Sequence, residues 1–181
     1  GGLNNTASGN SGTIGSGQFN NADIGLAARQ VLARNGVETE IVYPGCCGMP
    51  QLEHGDIAAV AVSAGKIAAD LSGWIDKGYD VVSLVASCSL MLKFEWPLLF
   101  PEDDLVGKLS EATFDISEYV VDIAGKEGMA DGMAGLDGDV TVHISCHSRA
   151  QNMGRKGAEL LQQIPGARVT VIERCSGHGG S

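Results

Sequence analysis

The sequence predicts an α/β fold, with a mainly parallel sheet flanked by helices. Two related βαβ-type lobes carry a pseudo-two-fold repeat, the second lobe being incomplete. Three observations predict this. Short apolar runs alternate with longer stretches of helical periodicity. Cys46, Cys88, Cys146 and Cys175 each follow a predicted strand, and sites in parallel sheets gather at the carboxyl ends of strands. Finally, the segments GVETEIVYPGCCG and GARVTVIERCSG align with one residue of slippage, as an internal repeat would.

Taken in order, residues 1–20 are rich in Gly, Ser, Asn and Thr and read as a flexible tail or a cloning remnant. Gly15-Ser16-Gly17 lacks the later glycine or lysine of a phosphate loop. From Asp23, a plausible N-cap, Ile24, Ala27, Ala28, Val31 and Leu32 recur at helical spacing until Asn35-Gly36. Val37 to Tyr43 is a strand leading to Cys46-Cys47. Asp56 to Lys77 is the longest amphipathic helix, with Val60, Ala64, Ile67, Ala68 and Leu71 on its apolar stripe and Gly78 closing it.

Tyr79 to Ala86 reads as a buried strand and Leu90 to Leu99 as a short helix stopped by Pro97 and Pro101, with Phe94 and Trp96 as packing residues. The acidic run Glu102-Asp103-Asp104 reads as a solvated loop. Ser110 to Gly125 is expected to be helical, with Asp115 or Ser117 near its start. The first lobe therefore covers 21–125, a Gly- and Asp-rich connector 126–139, and the partial second lobe 140–181. That lobe holds a strand Val140 to Ile144, a helix Asn152 to Gln163 and a strand Arg168 to Glu173.

Composition narrows the function classes. A net charge of −10 disfavours binding to nucleic acid or anionic membrane surfaces. No run reaches the length of a membrane span, and the N-terminus lacks the features of a signal peptide. Five cysteines fit a closed disulfide framework badly, so a reducing, cytoplasmic setting is expected, where cysteine clusters bind metal or do redox chemistry. Two adjacent cysteines present both thiolates to one metal centre only on an irregular turn, which Gly45 and Gly48 permit, and Pro50 can then open a helix. A vicinal disulfide or two inert buried thiols is the plainer alternative. Thiolates serve iron–sulfur clusters and zinc alike.

Four stretches, CCGMPQLEHGD (46–56), ASCSLMLKFEWP (86–97), SCHSRAQNMG (145–154) and ERCSGHGG (173–180), together resemble the CCG-domain, or cysteine-rich domain, family. The likeness is strongest to proteins similar to the cysteine-rich iron–sulfur component of anaerobic glycerol-3-phosphate dehydrogenase, and to those related to its counterpart in heterodisulfide reductase. It implies an iron–sulfur protein, with a cluster of the 4Fe-4S type, passing electrons in a multi-subunit oxidoreductase beside a flavoprotein dehydrogenase. Such a component is cytoplasmic or peripheral to the inner membrane through its partners. By motif, Cys46, Cys47 and Cys88 would be ligands in the first lobe and Cys146 and Cys175 in the second, sharing a cluster between lobes; none is assigned a catalytic role.

The chain departs from the family where Gly15 stands about where a cysteine is expected, and where Cys88-Ser89-Leu90-Met91 replaces Cys-x-x-Cys. A zinc-stabilised or metal-free scaffold subunit is therefore the alternative. His147 and His178 are read as loop histidines before ligands, and His54 and His143 as structural. Arg149, Gln151 and Asn152 either donate to cluster sulfurs or cap a helix. Trp74 and Trp96 are read as packing residues.

Overall fold

A computed structural model describes residues 11–14 and 21–175, in two compact units, Gly1–Ile116 and Ser117–Ser181. The α/β class is as expected, and every strand pairing among the described residues is parallel.

In the first unit a four-stranded sheet has the order β2-β1-β3-β4. Its strands are β1 (Ser11–Ile14), β2 (Thr39–Val42), β3 (Asp80–Ser83) and β4 (Thr113–Asp115). Strand β1 is a correction to the tail reading of 1–20. Residues 11–14 pair with β2 on one side and β3 on the other. Their composition hides this, because a strand of four residues is too short to show periodicity. The rest of 1–20 lies outside the described residues.

Helix α1 (Asn21–Arg34) connects β1 to β2, and α2 (Met49–Glu53) follows the double cysteine, with Pro50 in its first turn. Helix α3 (Ile57–Ile75) starts where expected, because the Asp56 carboxylate caps it by accepting the Ala59 N–H at 3.0 Å. Val60, Ala64, Ile67, Ala68 and Leu71 form its buried stripe, and the helix packs against β3 and the later helix Asp104–Glu111. Each of the larger side chains contributes roughly 1.5–3 kcal/mol by leaving water. Trp74 packs edge-on against Tyr79 with the Lys77 ammonium over its ring, so it is a packing residue as read.

The segment after β3 differs from the expected short helix. It starts at α4 (Ala86–Leu90), widens into a π-helical turn (Met91–Glu95) and returns to α5 (Trp96–Leu99). Pro97 lies within this helical run and does not stop it. Proline has no N–H for the Lys93 carbonyl four residues back; the Ser110 hydroxyl donates to that carbonyl at 2.7 Å. Trp96 is fully buried, while Phe94 is 38% exposed.

Two further expectations change. Asp103 and Asp104 do not form a solvated loop; Asp103 caps α6 (Asp104–Glu111), accepting the N–H groups of Leu105 and Val106. The helix expected over 110–125 is interrupted by β4 and resumes as α7 (Ile116–Glu127). The break carries no glycine or proline. The Thr113 hydroxyl instead donates to the Leu109 carbonyl at 2.6 Å, closing α6.

The second unit pairs β5 (Gly138–Ile144) with β6 (Ala167–Glu173), joined through α8 (Cys146–Ala150) and α9 (Lys156–Gln162). The helix expected from Asn152 begins only at Lys156, because Asn152 sits in the left-handed region (φ 53°) and ends α8. Among the described residues no helix is long and apolar enough to cross a membrane.

Candidate cysteine site

Because β1 lies between β2 and β3, the chain leaves β2 and β3 on either side of the carboxyl end of β1. This is the switch point at which open α/β sheets place their sites. From β2 the chain passes through Gly45 (φ 146°), Cys46, Cys47 and Gly48 (φ 80°). Both glycines adopt backbone angles that side chains disfavour, so the irregular turn expected from the sequence is present. It turns Cys46 to solvent and Cys47 into the core.

From β3 the chain enters α4, where Cys88 is buried. The Sγ atoms of Cys47 and Cys88 meet at 3.2 Å, with 4% and 3% of the two residues exposed. Both belong to the buried core that also holds Met49, Val60, Ala64, Ile67 and Met91. The hydrogen bond that Cys47 donates to Cys88, then burial, push the Cys47 thiol well above its ordinary range; the Met49 N–H opposes this.

Sequence reasoning missed what seats Cys88. The next residue, Ser89, is fully buried and hydrogen-bonds the Asp115 carboxylate at 3.2 Å, tying α4 to the end of β4. Asp115 looked like the start of a helix. Its burial became visible only once Thr113–Asp115 formed a strand.

In the second unit Cys146 and Cys175 each lie two residues beyond the paired residues Ile144 and Glu173, at the carboxyl ends of adjacent parallel strands. Cys146 is half-buried and Cys175 exposed. Ser145 caps α8, and the Arg149 guanidinium lies 3.8 Å from the Cys146 sulfur. Gln151 is buried and donates to the His147 carbonyl. His54 bonds the Pro50 carbonyl and His143 the Arg174 carbonyl. Gly15, Ser176 and His178 lie outside the described residues.

The donors suit an iron–sulfur group in kind, since all are thiols, and the fold brings Cys47 and Cys88 side by side. In number they form a half-site: among the described residues no group of three His, Cys, Asp or Glu is placed to hold a metal.

The comparisons with known proteins agree with the motifs. Residues 15–93 match the family model described as CCG, cysteine-rich domain. Such a domain points to iron–sulfur binding in general. Among curated proteins the chain is 27% identical over 169 residues to lactate utilization protein A of Macrococcus caseolyticus (strain JCSC5402). The alignment covers 87% of this chain, and the chain spans 65% of the relative's length. No solved structure matches.

Proposed function

We propose that the chain is an iron–sulfur electron-transfer subunit of a multi-subunit oxidoreductase whose flavoprotein partner oxidises a small hydroxylated substrate. The observation that carries this reading is the convergence of Cys47 and Cys88 at the switch point of a CCG domain. The relative's name favours lactate as the substrate of the assembly; the motif resemblance favours glycerol 3-phosphate, or a disulfide as electron acceptor. Cys47 and Cys88 are the inner ligands. Cys46 joins them by a change in its glycine-flanked turn, and Cys146 and Cys175 are the thiolates of the second unit. The bound cluster would supply one-electron transfer at near-constant geometry. The chain's residues hold the thiols, exclude water from the inner pair and keep Cys88 anchored through Ser89.

Anaerobic purification with iron, sulfide and zinc analysis and visible absorption tests this. Matching iron and sulfide with broad brown absorption is expected. Cys47→Ser is expected to lower retained iron by about tenfold. Iron content unchanged by that substitution would remove Cys47 from the ligand set. Zinc without sulfide would identify a zinc-stabilised domain, and neither metal a scaffold subunit.

A further inference from the structure

We infer that Cys47 and Cys88 are also a reversible dithiol/disulfide pair, and that exposed Cys46 is the relay through which oxidants reach it. The 3.2 Å separation is shorter than the roughly 3.8 Å between two thiolates sharing one tetrahedral metal with 2.3 Å bonds. It lies on the way to a disulfide of about 2.05 Å, which a shift of about 1 Å would complete. The Cys47 side has the backbone freedom to make this shift: its turn has a positive-φ glycine two residues before it and one directly after, whereas Cys88 is held on a helix. Cys47 and Cys88 are 41 positions apart, and all of α3 lies between them.

Burial makes the pair a poor first target. Cys46 is exposed and next in sequence, so it is the thiol that a small disulfide meets. The Cys46 thiolate attacks the reagent, forming a mixed disulfide and releasing one small thiol. Cys47 then attacks the Cys46 sulfur, its proton passing to the leaving small thiolate, so that a strained vicinal bond forms and the second small thiol is released. Cys88 attacks the Cys47 sulfur beside it, forming the Cys47–Cys88 bond and returning Cys46 as a free thiol. Two protein thiols lose two protons and two electrons, and one small disulfide becomes two small thiols. If the iron–sulfur reading holds, on which this consequence rests, the disulfide withdraws both inner ligands, and the site loads metal only after reduction.

The experiment uses the whole 181-residue chain, metal-free and reduced, then exposed to oxidised glutathione. Remaining thiols are alkylated, and the unreduced chain is digested with trypsin. The expected product joins peptide 35–66 to peptide 78–93. Fragmentation is expected to place the bond at Cys47 and the alkyl group at Cys46. The same treatment in urea is expected to scatter bonds among the five cysteines, which ties selectivity to the fold.

Cys46→Ser is expected to slow the bond by about tenfold without changing its position. Cys88→Ala is expected to leave glutathione on Cys46 or a Cys46–Cys47 bond. A wild-type product with glutathione on Cys46 and both buried cysteines alkylated would overturn the pairing, as would a lasting Cys46–Cys47 bond. Ferrous iron and sulfide are then added to the oxidised and the reduced chain. At least fivefold less uptake by the oxidised chain supports the gate, and equal uptake overturns it. No uptake by either form, with the bond still formed, would overturn the iron–sulfur reading and leave the pair standing.

Discussion

Cys47 shows how one residue's surroundings set its chemistry. In the folded chain it stays protonated, because it donates to Cys88 and because burial disfavours a thiolate. An unfolded cysteine ionises near pH 8.5. Below that pH both states hold the proton, and the folded state's preference for the thiol carries no penalty. Above it, unfolding releases a proton, so stability falls as pH rises, by about 1.4 kcal/mol per unit until the folded thiol itself ionises. Urea midpoints of the reduced, metal-free chain between pH 7 and 10 are expected to fall more steeply in the wild type than in Cys47→Ala. The variant itself is expected to cost about 1 kcal/mol at pH 7. Parallel pH profiles would show that another group causes the loss. The same residue shows the limit of reading a site from spacing. The motif put Cys46, Cys47 and Cys88 in one set, and the fold divides them into an exposed thiol and a buried pair. Adjacent residues point apart, and only the turn's backbone angles decide which one faces the core.

At the scale of elements, the helical run from Ala86 to Leu99 depends on a hydroxyl outside it. Pro97 gives no N–H to the Lys93 carbonyl, and Ser110 donates to that oxygen from α6. Ser110→Ala is expected to destabilise the chain by about 1 kcal/mol in urea unfolding. In a Pro97→Ala background, where residue 97 regains its N–H, the same substitution is expected to cost less than half as much. Equal costs in both backgrounds would show that the hydroxyl does not stand in for the missing donor. This contact also marks where sequence reading fails. Helix α3 was legible because its stripe, its capping Asp56 and its closing Gly78 all agree. The π-helical turn, the end of α6 at Thr113 and strand β4 were not, because each is fixed by a side chain bonding a carbonyl or by pairing with a strand distant in sequence.

At the scale of the molecule, the candidate site exists only because β1 holds β2 and β3 on either side of it. The parallel class and the cysteines' place after strands could be read from alternating patterns. The strand order could not, since its central member is a four-residue segment of low apolar content. The consequence can be tested at Thr13, which pairs with Ile41 on one side and Val82 on the other. In a parallel sheet a central residue gives its N–H to one neighbouring strand, and proline removes that donor and crowds the ladder. Thr13→Pro is expected to destabilise the first unit by about 3 kcal/mol or more. It is also expected to expose Cys47 and Cys88 to alkylation in the absence of denaturant, because the loops that carry them leave the two strands β1 joins. A dispensable tail predicts no change in either measurement. Unfolding midpoints and buried-thiol reactivity that both match the wild type would therefore remove β1 from the sheet, and with it the argument for a site at its carboxyl end.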